Sequence, residues 1–326
     1  MNPPTQCFSP NPLVSIVVPA FNHESYVKTC LDSVFNQSYR EIELLIINDG
    51  SSDKTHQEIQ NWIDNCPPRF IRFQYINREN FGLTKTLNQG LEWSQGKYFS
   101  SIASDDILAE DKIKLLVSEL EKKGTSFSAA FGNAKFIDDL GQDFSMKIED
   151  IHGSIVGKTT LFLEYYTHER KFDFRDPEYF GTYPSLLAGN YLPAMSNLLR
   201  TSCIREVGGW TSGNTVEDWE LWLKLSKTTR FCYVDEIVAF YRWHESNASK
   251  VKRERILRDS IKLLEKERDF AVSNAYQEYF YPVFFYNIKL LKEVDFKEFQ
   301  KKLLSLLMDF RFIRFAFKKI LRRGNA

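Results

Sequence analysis

The sequence predicts an α/β fold in which a mostly parallel sheet is flanked by helices. Three short apolar runs in the first third of the chain carry this prediction, namely Val14–Val18, Leu44–Ile47 and Tyr98–Ile102. Each run is rich in β-branched or aromatic residues and is followed by polar turn formers, as is typical of buried strands. The stretches between the runs have helical spacing. Strands that alternate with helices indicate a parallel sheet covered by helices on its faces.

Local signals define the elements of the first half of the chain. The helices near Glu24–Asn36 and Lys54–Asn65 each place apolar side chains on one side, which is the pattern of a helix packed on a sheet. Pro67-Pro68 stop the second helix, and the turn Gln95-Gly96 introduces the strand Lys97–Ile102. The other elements predicted here are the strands Glu43–Ile47, Arg72–Ile76 and Phe127–Phe131 and the helices Leu83–Trp93 and Leu108–Lys123.

The second half is less regular before residue 191. Aromatic and charged residues dominate from about 141 to 190, which predicts loops with one helical piece near Thr159–Tyr166. The elements predicted after it are the strand Met195–Arg200, the helix Glu217–Ser226, the strands Phe231–Val234 and Val238–Arg242, and helices from Val251 onward. We therefore expect a loose, proline-rich tail over residues 1–12, an α/β domain over 13–250 and a helical region over 251–326.

The composition of the chain indicates which partners and which cellular compartment to expect. Basic and acidic residues are equal at 43 each, so we expect no nucleic-acid partner. The 5 scattered cysteines lack metal-ligand spacing and predict thiols in a reducing compartment. We recognise neither a signal peptide nor an apolar stretch of about 18 residues or more. These features predict a cytoplasmic protein.

Polar side chains follow the three apolar runs where each run ends. Asn22 follows the first, Asp49 the second and Asp105-Asp106 the third. Parallel sheets bind ligands at the carboxyl ends of their strands. Adjacent carboxylates repel each other unless a cation or solvent relieves them, and their oxygens suit Mg²⁺ or Mn²⁺ shared with a phosphate. The alternative is that Ser104 or Asp105 simply caps the following helix.

Other side chains near these strand ends also have two interpretations. Asp49 is either a turn residue within Asn48-Asp49-Gly50-Ser51 or an acceptor for the N–H or hydroxyl groups of a nucleotide. Phe21 either stacks on a base or fills the core. His244 follows the last predicted strand in a polar loop, where it is either structural or a contact for a metal or phosphate.

Two adjacent carboxylates, Glu217 and Asp218, stand at the start of a later predicted helix. Thr215-x-x-Asp218 resembles a capping box, and acidic residues at this position favour the helix dipole. The alternative is a general base that takes the proton of an attacking hydroxyl. Trp219 and Trp222 beside them are candidates to stack against a sugar, but Trp222, with Leu221 and Leu225, fits a core stripe better.

Seven motifs in a fixed order resemble family 2 glycosyltransferases with the GT-A fold. They cover roughly residues 13–248, and each alone is weak. The motifs are Val-Ser-Ile-Val-Val-Pro-Ala-Phe-Asn (14–22), Leu-Leu-Ile-Ile-Asn-Asp-Gly-Ser-Ser-Asp (44–53), Asn-Arg-Glu-Asn-Phe-Gly-Leu-Thr-Lys-Thr-Leu-Asn (77–88), Ser-Asp-Asp (104–106), Gly-Gly-Trp (208–210), Glu-Asp-Trp-Glu-Leu-Trp-Leu (217–223) and Tyr-Arg-Trp-His-Glu-Ser-Asn (241–247). The resemblance implies a GT-A catalytic domain over 13–250.

The resemblance also implies a donor and a cofactor. The donor is a nucleotide-diphosphate sugar, with UDP favoured by its frequency in the family, and the cofactor is a divalent cation, Mn²⁺ or Mg²⁺. The residues implied for donor binding are Pro19, Ala20, Phe21, Asn22, Asp49, Asn80, Gly82, Lys85, Ser104 and Asp105. Those implied for the cation are Asp105, Asp106 and His244.

The implied reaction inverts the anomeric carbon, with Asp218 as the base and Glu217 beside it. The implied acceptor is a glycan or lipid-linked glycan of cell-surface polysaccharide synthesis, with Trp210 and Trp219 as candidate contacts. The sequence departs from the family at one position. Ala103 replaces the first acid of the common Asp-x-Asp-Asp pattern, which leaves open whether Asp105 or Asp106 binds the ion directly.

The C-terminal segment predicts a basic amphipathic helix. Its apolar residues recur at helical spacing, at Leu303, Leu306, Phe310, Ile313, Phe317 and Ile320, and lysines and arginines surround them. Such helices lie in anionic membrane surfaces, which would place the protein peripherally on the inner face of the cytoplasmic membrane. The alternative is a helix packed on the catalytic domain or on a second subunit, as in a homo-oligomer.

Two other classes of function, a different enzyme and a binding module, are rivals of the glycosyltransferase. A nucleotidyltransferase also uses paired acids on an α/β sheet, but Pro-Ala-Phe-Asn stands where its glycine- and arginine-rich loop belongs. A dinucleotide-dependent dehydrogenase is disfavoured because no G-x-G-x-x-G follows a strand. The second rival is a GT-A domain that has lost activity and serves as a binding scaffold, against which the retained acids argue.

Overall fold

The computed structural model describes residues 11–66, 68–149, 154–169 and 172–324. Most of the predicted tail over 1–12 and one of the two prolines predicted to stop a helix, Pro67, lie outside the described residues. The same holds for the side chains of Ile320, Arg322 and Arg323 in the predicted amphipathic helix.

Strands and helices alternate through the first half of the chain. The strands are β1 (Val14–Ala20), β2 (Ile42–Asp49), β3 (Arg72–Arg78), β4 (Tyr98–Ser101), β5 (Ile107–Leu108), β6 (Phe127–Ile137), β7 (Met146–Glu149), β8 (Ile155–Thr159), β9 (Asn197–Arg200) and β10 (Arg230–Arg242). The helices are α1 (Val27–Phe35), α2 (Thr55–Asn65), α3 (Leu83–Trp93), α4 (Lys112–Lys123), α5 (Phe162–Thr167), α6 (Tyr183–Leu187), α7 (Thr201–Glu206), α8 (Glu217–Ser226), α9 (Ala248–Val251), α10 (Arg253–Ser273), α11 (Gln277–Val294), α12 (Phe296–Leu307) and α13 (Phe310–Gly324).

Eight strands form one sheet in the order β3-β2-β1-β4-β9-β6-β10-β5. Neighbours are parallel except at β9, which runs antiparallel to both β4 and β6, and at the edge pair β10 and β5. The fold class predicted from the sequence is confirmed, since the sheet is mostly parallel and helices flank it.

The register brings the carboxyl ends of the first three strands level with one another. Ala20 at the end of β1 pairs with Asn48 of β2, and Asn48 pairs with Asn77 of β3. The loops that leave these strands therefore start side by side at one edge of the sheet. Several of the polar residues singled out in the sequence lie in these loops.

The core consists of apolar side chains on the strands and the helices that cover them. Ile16, Leu44 and Ile46 are fully buried, and so are Leu31 of α1 and Leu116 of α4. Each such side chain contributes about 1.5–3 kcal/mol when it is fully removed from water. The β-branched runs that predicted strands are thus the residues that hold the sheet together.

Several predicted elements differ from the observed ones. The helix predicted from Leu108 begins only at Lys112, because Ile107–Leu108 pair as a short edge strand with β10. The two strands predicted over 231–242 are one strand, β10, whose register against β6 shifts between Val234 and Ile237. Helix α7 and the hairpin β7–β8 were not predicted, and Thr159 of the predicted helical piece belongs to β8.

The chain divides into two compact units. The first consists of residues up to Gly181, Tyr191–Gly213 and Lys224–His244, and it contains the eight-stranded sheet. The second consists of Thr182–Asn190, Asn214–Leu223 and the residues from Glu245 onward. The helical region predicted to begin at residue 251 thus takes in two earlier segments of the chain.

The second unit is helical. Its core contains Leu264 of α10 and Phe280 and Phe284 of α11, all buried. The hydroxyl of Tyr183 in α6 donates to Glu267 Oε2 of α10 over 2.7 Å. This bond ties the early segment to the long helices.

The C-terminal amphipathic segment is two helices, α12 and α13, not one. Leu306 is buried, so the predicted apolar stripe is divided: Phe310, Ile313 and Phe317 are 73%, 48% and 62% exposed. Phe312 and other rings of α13 face α11 instead, with Phe312 5.2 Å from the ring of Tyr281. Among the described residues, no helix combines the length and apolar character that a membrane span requires.

Candidate active site

Two loops at the carboxyl edge of the sheet, after β1 and after β2, are joined by reciprocal hydrogen bonds. Asn22 N donates to Ser51 Oγ over 2.9 Å, and Ser52 N donates to Asn22 Oδ1 over 2.8 Å. His23 N donates to Thr55 Oγ1 over 2.8 Å. Asn22 has a φ of 53°, a left-handed conformation that asparagine tolerates better than most residues. The bonds fix the two loops as one frame.

The predicted donor residues Pro19 and Ala20 belong to β1 itself. They pair with Ile47 and Asn48 of β2, and Ala20 is buried. They therefore set the position of the loop that follows. Phe21 begins that loop, and its ring is 46% exposed, which excludes the core interpretation.

Asp49 organises the loop that follows β3. Its Oδ1 accepts from Phe81 N over 3.0 Å, and its Oδ2 accepts from Gly82 N over 2.8 Å. Arg78 Nη1 lies 2.8 Å from Oδ1 and completes an ion pair. The carboxylate is buried and engaged at both oxygens, so within this structure it holds backbone of its own chain.

Glycine is required where this loop meets the turn after β2. Gly50 has a φ of 74°, and a Cβ at this position would lie 2.5 Å from Asn80 N. Gly82 has a φ of 89° and directly precedes α3. These two residues allow the loop containing Asn80 to approach Asp49 closely.

A second aromatic ring, Phe81, is exposed in the same loop. It is 55% exposed, and the Arg78 guanidinium carbon lies 4.6 Å from its centroid. Lys85 Nζ, on the first turn of α3, lies 5.7 Å from the same centroid. Two exposed rings, Phe21 and Phe81, thus lie in the loops at this edge, and the cations of Arg78 and Lys85 lie beside Phe81. Rings and cations together suit a planar base and phosphates.

His23, Asp105 and His244 form a cluster that can hold a metal ion. One ligand atom from each lies within 4.8 Å of the others. His244 Nε2 is 3.0 Å from Asp105 Oδ2, and His23 Nε2 is 3.6 Å from the same oxygen. The sequence pointed to Asp105 and His244, and the structure brings them together; His23 is an addition that the sequence did not reveal.

The residues of this cluster fit a divalent cation. Asp105 Oδ1 is buried and has no hydrogen-bond partner among the described residues, which is costly for a carboxylate oxygen unless a cation binds it. Imidazole nitrogens favour transition-metal ions, whereas Mg²⁺ prefers oxygen ligands. A set of two histidines and one carboxylate therefore fits Mn²⁺ better than Mg²⁺.

Ser104 orients one of these imidazoles. Its Oγ is hydrogen-bonded to His23 Nδ1 at 2.8 Å, which leaves His23 Nε2 for Asp105 or an ion. Such outer partners commonly fix the ring of a metal-binding histidine. Ser104 is fully buried, so the structure gives it this supporting contact rather than a surface position toward a donor.

The protonation states suit metal binding. Burial lowers the pKa of His23, although Asp105 opposes this, so the ring is neutral and able to donate a lone pair near neutral pH. Burial alone would raise the pKa of Asp105, but the hydrogen bond with His244 and the interaction with His23 outweigh burial and lower the pKa. Asp105 is therefore ionised.

Asp106 has a different environment from Asp105. Its Oδ1 accepts from Arg242 N over 3.0 Å, and Arg242 Nε donates to the carbonyl oxygen of Asp105 over 2.8 Å. Burial and the neighbouring Asp105 charge raise the pKa of Asp106 well above its usual range. Asp106 does not belong to the cluster of candidate ligands, so the geometry favours Asp105 as the direct ligand and Asp106 as a link to β10.

A buried lysine lies behind the acidic pair. Lys112 Nζ donates to Ser100 Oγ and to Met195 O, each over 2.8 Å. Burial lowers the pKa of Lys112 to about 7, and the charge of Asp106 partly opposes that shift. Both hydrogen bonds go to protein oxygens, so Lys112 serves the packing of the sheet.

Glu217 and Asp218 begin α8 in the second unit. Asn190 Nδ2 donates to Asp218 Oδ2 over 2.9 Å, and Trp219 N donates to Asp218 Oδ1 over 2.6 Å. The Thr215 hydroxyl donates to Asp259 Oδ2 over 2.8 Å. The capping-box interpretation is therefore wrong, because Thr215 and Asp218 each have another partner.

Both carboxylates have the raised pKa that suits a proton acceptor. Burial raises the pKa of Glu217, and the Asp218 charge beside it adds to the shift. Burial also raises the pKa of Asp218, while the hydrogen bonds from Asn190 and Trp219 limit the rise. A carboxylate with a raised pKa is a stronger base than an exposed one.

Trp210 and Trp219, the predicted acceptor contacts, are core residues. Each is only 5% exposed. Trp210 packs on Phe99 with ring centroids 5.5 Å apart, and Trp219 Nε1 donates to Leu186 O over 2.8 Å. Neither ring offers a free face to a sugar, so the structure corrects this prediction: both tryptophans belong to the core.

Five residues of these sites escaped the sequence analysis: His23, Arg78, Phe81, Asn190 and Arg242. Four of them stand inside or directly beside quoted motifs, where a strand end and the loop after it were the available signal. Asn190 had no such signal, since it lies 28 residues from Asp218 in an irregular stretch.

The sequence of this chain is similar to those of known proteins. The family model of glycosyl transferase family 2 matches residues 15–182. An uncharacterized glycosyltransferase of Rickettsia felis is 26% identical over 242 residues, which cover 73% of this chain and 35% of that protein. The chain thus spans about a third of the length of that relative.

Two solved structures share the fold. S. aureus TarS in complex with UDP-GlcNAc has a TM-score of 0.54 at 14% identity, covering 78% of this chain and 66% of that one. Mannosyltransferase PcManGT from Pyrobaculum calidifontis, in complex with GDP-Man and Mn²⁺, has a TM-score of 0.56 at 12% identity, covering 94% and 84%. At these identities the likeness establishes the fold alone.

Proposed function

This chain belongs to glycosyl transferase family 2 and has the GT-A fold, and we propose that it transfers a sugar from a nucleotide-diphosphate sugar to a hydroxyl group of a glycan or lipid-linked glycan. The transfer inverts the configuration of the anomeric carbon. The observation that carries the proposal is the His23, Asp105 and His244 cluster with its unpartnered carboxylate oxygen. A divalent cation beside loops with exposed rings suits a nucleoside diphosphate. The nucleotidyltransferase alternative is not retained.

The chemistry is a single displacement. The oxygen of the acceptor hydroxyl attacks the anomeric carbon, the bond from that carbon to the diphosphate oxygen breaks, and the nucleoside diphosphate leaves. Asp218 takes the proton of the hydroxyl, a role that its raised pKa supports. A divalent cation held by Asp105, His23 and His244 would offset the negative charge on the leaving diphosphate.

The donor loops recognise the nucleotide. Phe21 and Phe81 are exposed rings on which a base can stack, and Lys85 and Arg78 supply positive charge beside Phe81. Asp49 and Gly82 keep the second of these loops in place through their hydrogen bond. UDP is the expected nucleotide on family frequency, although the two structural neighbours bind UDP-GlcNAc and GDP-Man.

A donor screen tests the proposal. Purified protein with Mn²⁺ or Mg²⁺ is offered UDP-, GDP- and dTDP-sugars, and released nucleoside diphosphate is measured with and without chelator. We expect release from one donor that stops with chelator, returns with added cation and is faster with Mn²⁺. Donor binding is measured in parallel, because a ligand at 100 times its Kd stabilises the fold by about 2.7 kcal/mol. Absence of both release and thermal stabilisation would identify an inactive scaffold.

The acceptor is proposed to be reached at an anionic membrane surface. The apolar face of α12 and α13 is exposed, with no described partner, at Leu304, Leu307, Met308, Phe310, Ile313 and Phe317. Arg314 and Lys318 are also exposed on α13. Apolar and cationic side chains together are what a peripheral helix presents to anionic lipids. This face supports our proposal that the enzyme works at the inner face of the cytoplasmic membrane, in cell-surface polysaccharide synthesis.

Reversing two charges tests the membrane proposal. We expect the double variant Arg314→Glu/Lys318→Glu to bind phosphatidylglycerol vesicles at least about 10-fold more weakly in sedimentation, because each basic residue near such a surface contributes about 1 kcal/mol. Lys114→Glu/Lys122→Glu on α4 is the matched control. Equal binding by both double variants would contradict the proposal. So would a dimer without lipid that only the first variant dissociates, which would assign the face to a second copy.

A further inference from the structure

The side chain of Asn190 makes a direct contact with the carboxylate proposed as the general base. Its Nδ2 donates to Asp218 Oδ2 over 2.9 Å, and both residues belong to the second unit. Asn190 comes two residues after Ala188, the C-cap of α6, and follows Gly189, whose φ is 129°. The bond thus reaches Asp218 from an element other than its own helix.

The other end of the Asn190 amide is unsatisfied. Its Oδ1 is buried and has no hydrogen-bond partner among the described residues. The reversed amide would bring Oδ1 against the Asp218 oxygen, where two acceptors would repel each other, so the carboxylate dictates the orientation of the amide. A buried acceptor without a donor destabilises the fold. Such a group in a native structure calls for an explanation, and a catalytic role is one of the recognised ones.

The Asp218 carboxylate is held at both of its oxygens. Trp219 N occupies Oδ1, over 2.6 Å, and Asn190 occupies Oδ2. Each oxygen accepts through more than one lone pair, so the two bonds fix the carboxylate plane and still leave room for a proton. A base held in this way loses little time or energy to reorientation when its substrate arrives.

We propose that Asn190 is the positioning residue of the general base, holding the Asp218 carboxylate in its ionised, proton-accepting state. The proposal rests on the proposed function. Its physical basis is that an N–H donor stabilises a carboxylate more than a carboxylic acid. Asn190 contacts the base directly and affects the reaction only by orienting and stabilising the Asp218 carboxylate.

The charged groups around Asp218 set the sign of the expected effect. Glu217 is adjacent to Asp218 on α8. The positive charge of Lys252, which precedes α10, lowers the pKa of Glu217. Burial raises the pKa of Asp218 and the Asn190 hydrogen bond lowers it. Removal of that bond raises the pKa, so more of the base is protonated and inactive at a given pH below the new pKa.

The test is the pH dependence of nucleoside-diphosphate release, with the donor found in the screen and water as the acceptor. For Asn190→Ala we expect the acid limb of kcat/KM to move up by roughly one pH unit, with donor affinity unchanged. Asn190→Asp keeps the shape of the side chain but adds a negative charge beside Asp218, so its limb should move further. Thermal midpoints confirm that the variants are folded.

The outcomes separate this proposal from the proposed function. If Asp218→Asn turns over like the wild type, the assignment of the base fails and this proposal fails with it. If Asp218→Asn is inactive while both Asn190 variants keep the wild-type acid limb, the base stands and Asn190 has no positioning role. A uniform loss of rate at every pH with an unshifted limb also overturns the proposal, because it indicates a packing role.

Discussion

Asp218→Asn is expected to lower turnover by about 10²–10⁴-fold, the usual contribution of a positioned general base. The asparagine keeps the volume of the side chain and an acceptor oxygen for Trp219 N, but its amide cannot take the proton of the acceptor. Donor affinity should not change, because the candidate donor residues belong to other elements. Steady-state release of nucleoside diphosphate and calorimetric titration with the donor measure the two quantities separately.

Asp64→Asn supplies the matched control for this experiment. It makes the same chemical change on an exposed face of α2, where Gln60 Nε2 donates to the carboxylate. We expect the control to behave like the wild type. Glu217→Gln should lose less activity than Asp218→Asn, since Asn190 and Trp219 orient Asp218 and not Glu217. Wild-type turnover by Asp218→Asn would remove Asp218 from the mechanism.

Asp105→Asn is expected to weaken Mn²⁺ binding by roughly 100-fold or more, since even the loss of an outer partner of a metal ligand typically costs about 10–100-fold. The amide removes the one negative charge among the three candidate ligands and breaks the pairing with His23 and His244. Calorimetric titration with Mn²⁺ alone measures the affinity directly, without a donor or an acceptor. Metal-dependent turnover should fall in parallel.

Two further variants assign the ligand set. Asp106→Asn should lose less Mn²⁺ affinity than Asp105→Asn, since its carboxylate contacts Arg242 N and lies outside the cluster. His23→Ala should lose affinity, whereas His168→Ala, at an exposed histidine, should not. A greater loss at Asp106 than at Asp105 would reverse the assignment, and unchanged affinity of His23→Ala would reduce the set to Asp105 and His244.

Much of the sheet could be predicted from the sequence because β-branched runs can be buried in few ways. Val14–Val18 and Leu44–Ile47 lie within strands β1 and β2. The edge strand Ile107–Leu108 could not be predicted, since two apolar residues before a helix look like its first turn. Only pairing with Ala239 and Phe240, far along the chain, makes them a strand.

The candidate site was predictable where a residue directly follows a predicted strand. Asp105 follows a strand closely, and carboxyl strand ends meet at one edge, so its position followed from topology. The position of His23 could not be predicted in this way. Its ring reaches Asp105 because hydrogen bonds to Thr55 and Ser104 fix the path of its loop. The role of a tryptophan is hard to predict from sequence, because the same ring can bind a sugar or fill the core. Trp210 was predicted to contact the acceptor, but tertiary packing buries its ring in the core.

The insertion of β9 between β4 and β6 has a consequence for the way the protein assembles. Strands β1 to β4 can pair as soon as residues 14–101 have been synthesised, but β6 has no neighbour in the sheet until β9, at residues 197–200, is available. Its other neighbour, β10, ends at Arg242. At the usual pace of translation the half-built sheet therefore stays incomplete for roughly 5 to 20 seconds before β9 is synthesised. His244 and Asp105, 139 residues apart, meet only after that wait, so a nascent chain cannot assemble the candidate metal cluster before every strand of the sheet has been synthesised.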